Sequence, residues 1–172
     1  MFRTWKFLFL TFLSITILAG CGKTLDERSA DGIAAAKEAF QLHDKNVNDE
    51  VKGVSLYKPA GFTIEDNSDA QNIVMKKGDE MFILFINPNE NRDSRLFYDL
   101  LEGEKESDRY EEVFTEEGYF GFASISEVGE DQVELIASVG GIKMTTITKN
   151  KNIEKNMASM MEIVRSIEQD SK

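Results

Sequence analysis

The side chains with which this chain could do chemistry are one cysteine, one histidine and an excess of carboxylates: Cys21, His43, and 31 Asp and Glu against 20 Lys and Arg. A single cysteine excludes an intrachain disulfide. A zinc site of His and Cys, or a Ser-His-Asp triad, would have to use His43. That residue falls near the end of a predicted helix, where a cationic imidazole favours the helix dipole. The densest acids are Glu102, Glu104, Glu106, Asp108, Glu111, Glu112, Glu116 and Glu117, with only Lys105 and Arg109 among them. They read as a solvated stretch able to attract a cationic partner or to gather divalent ions weakly. Glu65, Asp66, Asn67, Ser68 and Asp69 carry oxygens of the kind calcium takes, yet lack the glycine and terminal glutamate of an EF-hand loop. Nothing picks out a carboxylate pair for glycoside cleavage. Met157, Met160 and Met161 offer soft thioethers that suit copper(I), and they also fit the buried face of a helix with Ile153 and Val164. Phe120 and Phe122 beside Tyr119 form either an aromatic surface or a strand buried on both faces. No catalytic, metal or cofactor site follows from these residues.

The surroundings of Cys21 are more definite. Arg3 and Lys6 make a positive start, and Phe7 to Ala19 is a nearly unbroken apolar run that closes on Leu18, Ala19, Gly20 and Cys21. This is the pattern of a secretory signal. The run is about 13 residues, short of the roughly 20 a helix needs to cross a bilayer, so residues 1–20 are expected to be cut away. The last four residues resemble the lipobox of bacterial lipoproteins, where small residues admit a peptidase to the bond before a cysteine already carrying diacylglycerol. The resemblance implies cleavage between Gly20 and Cys21, lipidation at Cys21, and a mature protein held on the extracytoplasmic face of the cell membrane. Each buried CH2 of an acyl chain contributes about 0.8 kcal/mol, so two or more chains hold far more firmly than one. The lipid would consume the only thiol. Gly22 after the cysteine, and a composition rich in Lys, Asn and Glu, point to a Gram-positive cell.

Loss of residues 1–20 takes away two cations and deepens a formal charge of −11 by two units. The remainder fits one domain with a real core. Its acidic surface repels nucleic-acid phosphates and anionic lipid headgroups and favours a cationic partner or none.

Residues 21–30 are polar and small, and are expected to be a lipidated cysteine with a short tether. The spacing of Ile33, Ala36 and Phe40 predicts an amphipathic helix over 31–44, with Asp31 available as a cap. Strand signals follow: Val54 to Tyr57, a turn at Lys58 to Gly61, Phe62 to Glu65, and a hairpin of Gln71 to Lys76 with Met81 to Asn87. The last of these is apolar without alternation, which predicts a central strand covered on both faces. Pro88 ends it. Asn91 or Asp93 can cap a helix bearing Leu96, Phe97, Leu100 and Leu101. Three or four further strands, with turns at Glu116 to Gly118, Gly129 to Asp131 and Gly140-Gly141, form an antiparallel meander. Ile153, Met157, Met160, Met161, Val164 and Ile167 then recur at helical steps opposite Glu154, Lys155, Ser159, Glu162 and Arg165. Asn150 or Asn152 can cap this helix, which should pack on the sheet.

The stretch Val54, Ser55, Leu56, Tyr57, Lys58, Pro59, Ala60, Gly61, Phe62 and the ending Ile163, Val164, Arg165, Ser166, Ile167 resemble the start and finish of the PsbP-like family, over about residues 53–168. The resemblance implies an α+β fold, an antiparallel sheet sandwiched by helices. It also implies a non-enzymatic role in binding or assembling other proteins of the cell envelope. The competing expectation is a solute-binding module or small hydrolase with a pocket between sheet and helix.

Overall fold

The computed structural model describes residues 22–103 and 109–168. The signal segment, the Gly20-Cys21 bond and residues 104–108 lie outside the described residues.

The alternation of Val133, Leu135, Ala137 and Val139 needs a partner strand on each side, and the meander supplies them. Strands β7 (Tyr119–Gly129), β8 (Gln132–Val139) and β9 (Ile142–Lys149) pair antiparallel through short turns. At the Gly140-Gly141 turn the first glycine takes φ +54°, and the second lies where a Cβ would come within 2.8 Å of the Asn87 carbonyl oxygen. The first answers a backbone need, the second a packing need. β6 (Arg109–Glu116) adds to β7, while β5 (Glu80–Ile86), β4 (Asn72–Lys77) and β3 (Thr63–Ile64) extend the other side. The seven-stranded order is β3-β4-β5-β9-β8-β7-β6. The fold is α+β, as expected.

One face of this sheet is fully dressed. Helix α1 (Leu25–Leu42) and the C-terminal helix α3 (Ile153–Ser166) lie on it side by side. Ile153, Met157, Met160, Met161, Ile163 and Val164 are all fully buried with Phe82, Leu84, Ile125 and Leu135. The three methionines are core. The helices run parallel, since Gly32 abuts Ile153 and Met157 while Ala39 shares a small hollow with Glu162 and Arg165. The opposite face carries only α2 (Leu96–Gly103), whose Phe97 and Leu101 pack with Phe120, Phe122 and Ile136. Phe120 and Phe122 thus belong to a strand covered on both sides.

Several expectations are corrected. α1 begins at Leu25, not Asp31: Thr24 Oγ1 accepts the Glu27 N–H at 3.2 Å and Glu27 Oε2 accepts the Thr24 N–H at 2.8 Å. This capping box and an acidic first turn favour helix where low hydrophobicity suggests a tether. β5 is not covered on both faces, for Met81 and Ile83 are half exposed. Residues 49–51, ahead of the first strand expected at Val54, form β1 (Asp49–Val51), which pairs with β2 (Val54–Leu56) across Lys52-Gly53. β2 therefore does not pair with Phe62 to Glu65, and β3 pairs with β4 instead. The N–H of Leu96 is accepted by Ser94 Oγ rather than by Asn91 or Asp93. Arg165 is buried, not on the solvent side of its helix.

Gly32 is tested by opposed magnitudes. Alanine there gains about 1 kcal/mol of helix propensity, but its Cβ would lie 2.5 Å from Cγ2 of the fully buried Ile153, and overpacking costs about 1–3 kcal/mol. Gly32→Ala is expected to lower the urea midpoint by the equivalent of about 1 kcal/mol; a raised midpoint would show that α1 does not seat on α3 at this residue.

Candidate functional site

Among the described residues, the outer sheet face groups several large apolar side chains that stay exposed. Alternation along β5 puts Met81, Ile83 and Phe85 on this side, and the register sets Ile83 between Val74 of β4 and Thr145 of β9. Met81 and Ile147 flank the Phe82–Thr146 pair. α2 covers one part: Tyr98 meets Phe120 and Phe122 edge-on at 5.8 and 5.6 Å, and Phe97 meets Phe85 at 5.8 Å. Beyond it the face is open. Met81, Ile83 and Ile147 are 49–54% exposed, and Leu100 on α2, which shares a hollow with Lys143 and Thr145, is 59% exposed. A hollow of about 240 Å³ lies between helix and sheet, floored by Phe122 and Ile136 and edged by Leu100, Lys143 and Thr145. Lys143 Nζ sits 5.2 Å over the Phe97 ring, and Lys76 pairs with Glu65 at 3.0 Å on the far side. Large half-exposed apolar side chains grouped on a sheet and rimmed by polar groups make this face the candidate site.

A polar knot holds β5 in place. Thr148 Oγ1 and Asn152 Nδ2 donate to Glu80 Oε1, the latter at 2.8 Å, and Asn156 Nδ2 donates to Oε2 at 2.9 Å. Asn152, at the N-terminus of α3, thus spends its side chain on Glu80 instead of capping its own helix. Lys77 reaches Asn156 Oδ1 at 3.4 Å and lies 4.9 Å over Phe62. Burial, then repulsion from Lys155, holds its ammonium below the usual range. Burial also pushes the Glu80 carboxyl up, but the three hydrogen bonds together outweigh it, and the group ends below its ordinary value.

The residues singled out from the sequence are mostly engaged elsewhere. His43 ends α1 at φ 29°, exposed, with Nδ1 3.0 Å from the Gln41 carbonyl oxygen. In the Glu65 to Asp69 turn, Asp69 Oδ1 accepts the N–H groups of Gln71 and Asn72 at 2.8 and 2.7 Å, which hold its carboxyl below the usual range. Of the acid-rich stretch, Glu111 and Glu102 pair with Arg109 at 2.7 and 3.7 Å, and Glu112 pairs with Lys37 at 2.6 Å. Glu104, Glu106 and Asp108 lie outside the described residues. Among the described residues no three His, Cys, Asp or Glu are grouped to hold a metal ion. Sequence reasoning missed Arg165, whose guanidinium stacks 3.6 Å from the Tyr119 ring centre and 5.6 Å from that of Phe40. It missed the open face too, because an apolar run in a strand reads as core.

The Glu80 knot sets a pH dependence. A carboxyl held lower in the folded than in the unfolded chain adds stability that is fully present above the unfolded value of about 4.3 and is lost as pH falls through the folded one. Glu80→Gln should therefore be less stable than the parent by about 1 kcal/mol at pH 7, the low end for a part-solvated charged acceptor. The gap should close towards pH 3, as read by urea unfolding at each pH; a gap independent of pH would show that the charge contributes nothing.

No family model and no curated protein matches this chain.

Proposed function

We propose that this protein is a lipid-anchored, extracytoplasmic and non-catalytic domain that binds another protein of the cell envelope through the open half of its outer sheet face. The observation that carries the reading is the group Met81, Ile83 and Ile147, half exposed on an antiparallel sheet whose other face is buried, together with exposed Leu100 on α2. Apolar anchors on a pre-formed surface lose little entropy on binding, which is how a small patch gains useful affinity. The leader ending at Cys21 supports the address. Tethering to a membrane raises the effective concentration of such a surface towards its neighbours. The surplus of acid over base selects a partner that is not itself acidic. Among the described residues no helix is long and apolar enough to cross a membrane; the anchor in this reading is the lipid on Cys21. The competing reading puts a ligand pocket between sheet and helix: the space under the C-terminal helix is filled by Met157, Met160 and Met161, and the hollow of about 240 Å³ under α2 is where such a pocket would lie.

Two experiments test the two halves of this reading. Metabolic labelling with a fatty acid should mark the wild type and not Cys21→Ser, and the variant should leave the membrane; equal labelling of both removes the anchor. Ile83→Glu changes a half-exposed side chain and should leave the unfolding midpoint within about 0.5 kcal/mol of the parent. In cross-linked, detergent-solubilised membranes it should lose at least about tenfold of a partner held by wild type, whereas Leu42→Glu, exposed at the end of α1, should keep it. Loss in both variants or in neither would move the binding surface elsewhere.

A further inference from the structure

Only Gly22 and Lys23 separate Cys21 from the residue that caps α1, and that short span is itself tied down. Thr24 closes the capping box, Arg28 Nε donates to the Lys23 carbonyl oxygen at 3.0 Å, and Lys23 Nζ pairs with Asp31 at 2.5 Å. Gly22 is left as the one described residue outside these contacts. Three residues span at most about 11 Å, so the first turn of α1 stays close to whatever holds Cys21.

α1 also shows which end of the domain its first turn belongs to. Its N-terminus stands over the start of β6, where Tyr110 donates to Asp26, and beside the first turn of α3, where Glu154 adds to the attraction on Lys23. Because α1 and α3 run parallel and β7 runs against them, the same end collects the Lys77–Glu80 turn, the Gly129–Gln132 turn and the link from β9 to α3. The loops at Asn87 to Ser94, at Glu117-Gly118 and at Gly140-Gly141 lie at the other end. Half-exposed Val128, Met81 and Ile147 all lie towards the first end.

Resting on the anchor proposed above, we infer that the domain has a fixed sense of orientation at the membrane. The end bearing the Lys77–Glu80 and Gly129–Gln132 turns rests against the lipid surface, and the Asn89 and Gly140-Gly141 end points away. The strands run outward from the bilayer, so the open sheet face looks along the membrane rather than up from it. The partner it fits is then another membrane-held protein approaching from the side, with its contacting part within one strand length of the lipid. For eight residues of β8 that length is about 26 Å.

The test uses the full lipidated chain, in which a new cysteine is the only free thiol. A thiol-reactive fluorophore is placed at Glu130→Cys or at Asn89→Cys, both exposed turn positions at opposite ends, in vesicles containing a lipid with a nitroxide on its headgroup. Quenching at position 130 should exceed that at position 89 severalfold. Eight Gly/Ser residues inserted between Gly22 and Lys23 should abolish the difference while vesicle binding persists. Equal quenching at the two positions in the uninterrupted chain, with the protein still vesicle-bound and fatty-acid labelled, overturns the orientation and leaves the anchor standing. A chain that neither takes up fatty acid nor stays with the vesicles overturns both.

Discussion

The closeness of α1 to the sheet is the constraint from which the rest follows. Two glycines make it possible: a Cβ on Gly32 would strike Ile153 at 2.5 Å, and one on Gly121 would strike the Phe40 ring at 2.7 Å. With both positions bare, the helix drops onto β7, Phe40 reaches Phe114 at 5.6 Å, and α3 can lie alongside without a gap. The inner face is then closed by two parallel helices. Their shared direction places the N-terminal end of the chain over one end of the sheet, so a contact between a glycine and an isoleucine side chain fixes which end of the molecule an anchor at residue 21 would hold.

The outer face is left short of cover by simple length. Seven strands at about 4.8 Å spacing make a sheet roughly 29 Å across, while the eight residues of α2 make a helix of about 12 Å. That helix is spent over β7 and β8, where Phe120, Phe122 and Ile136 need it. It also touches Phe85 of β5 and Lys143 of β9, but leaves Met81, Ile83 and Ile147 half exposed. Leaving a large apolar side chain in water instead of burying it forgoes about 1.5–3 kcal/mol, so Met81, Ile83 and Ile147 are poor choices for a face meant only to be wet. Threonine or lysine would serve there, and both already do so at Thr145 and Lys76.

Much of the fold could be read from residue order because local signals and tertiary packing agree. Gly140-Gly141 marks a turn by backbone need, the β8 alternation marks a half-buried strand, and the steps from Ile153 to Ile167 mark the helix that closes the core. The reading failed where two environments share one pattern. Thr24 to Glu27 is a capping box, yet its polarity is also that of a linker, and only the tertiary contact of Leu25 and Ser29 with the core decides between them. Met81 to Ile86 looks alike whether its second face meets a helix or a partner. Arg165 gave no signal at all: its burial depends on Tyr119, 46 positions earlier, offering a ring to stack on. The candidate surface was illegible for the same reason, since it is defined by what α2 fails to reach.

The edges of the sheet give independent weight to the open face. An exposed edge strand invites pairing with other chains, and soluble proteins blunt it by shortness, charge or cover. Here one edge, β3, is two residues long, and its neighbour carries the Lys76–Glu65 pair. The other, β6, carries Arg109, Glu111, Glu112 and Glu116, charged side chains of the kind that blunt an edge. Self-association along the backbone is thus opposed at both ends, while the apolar centre between them stays bare.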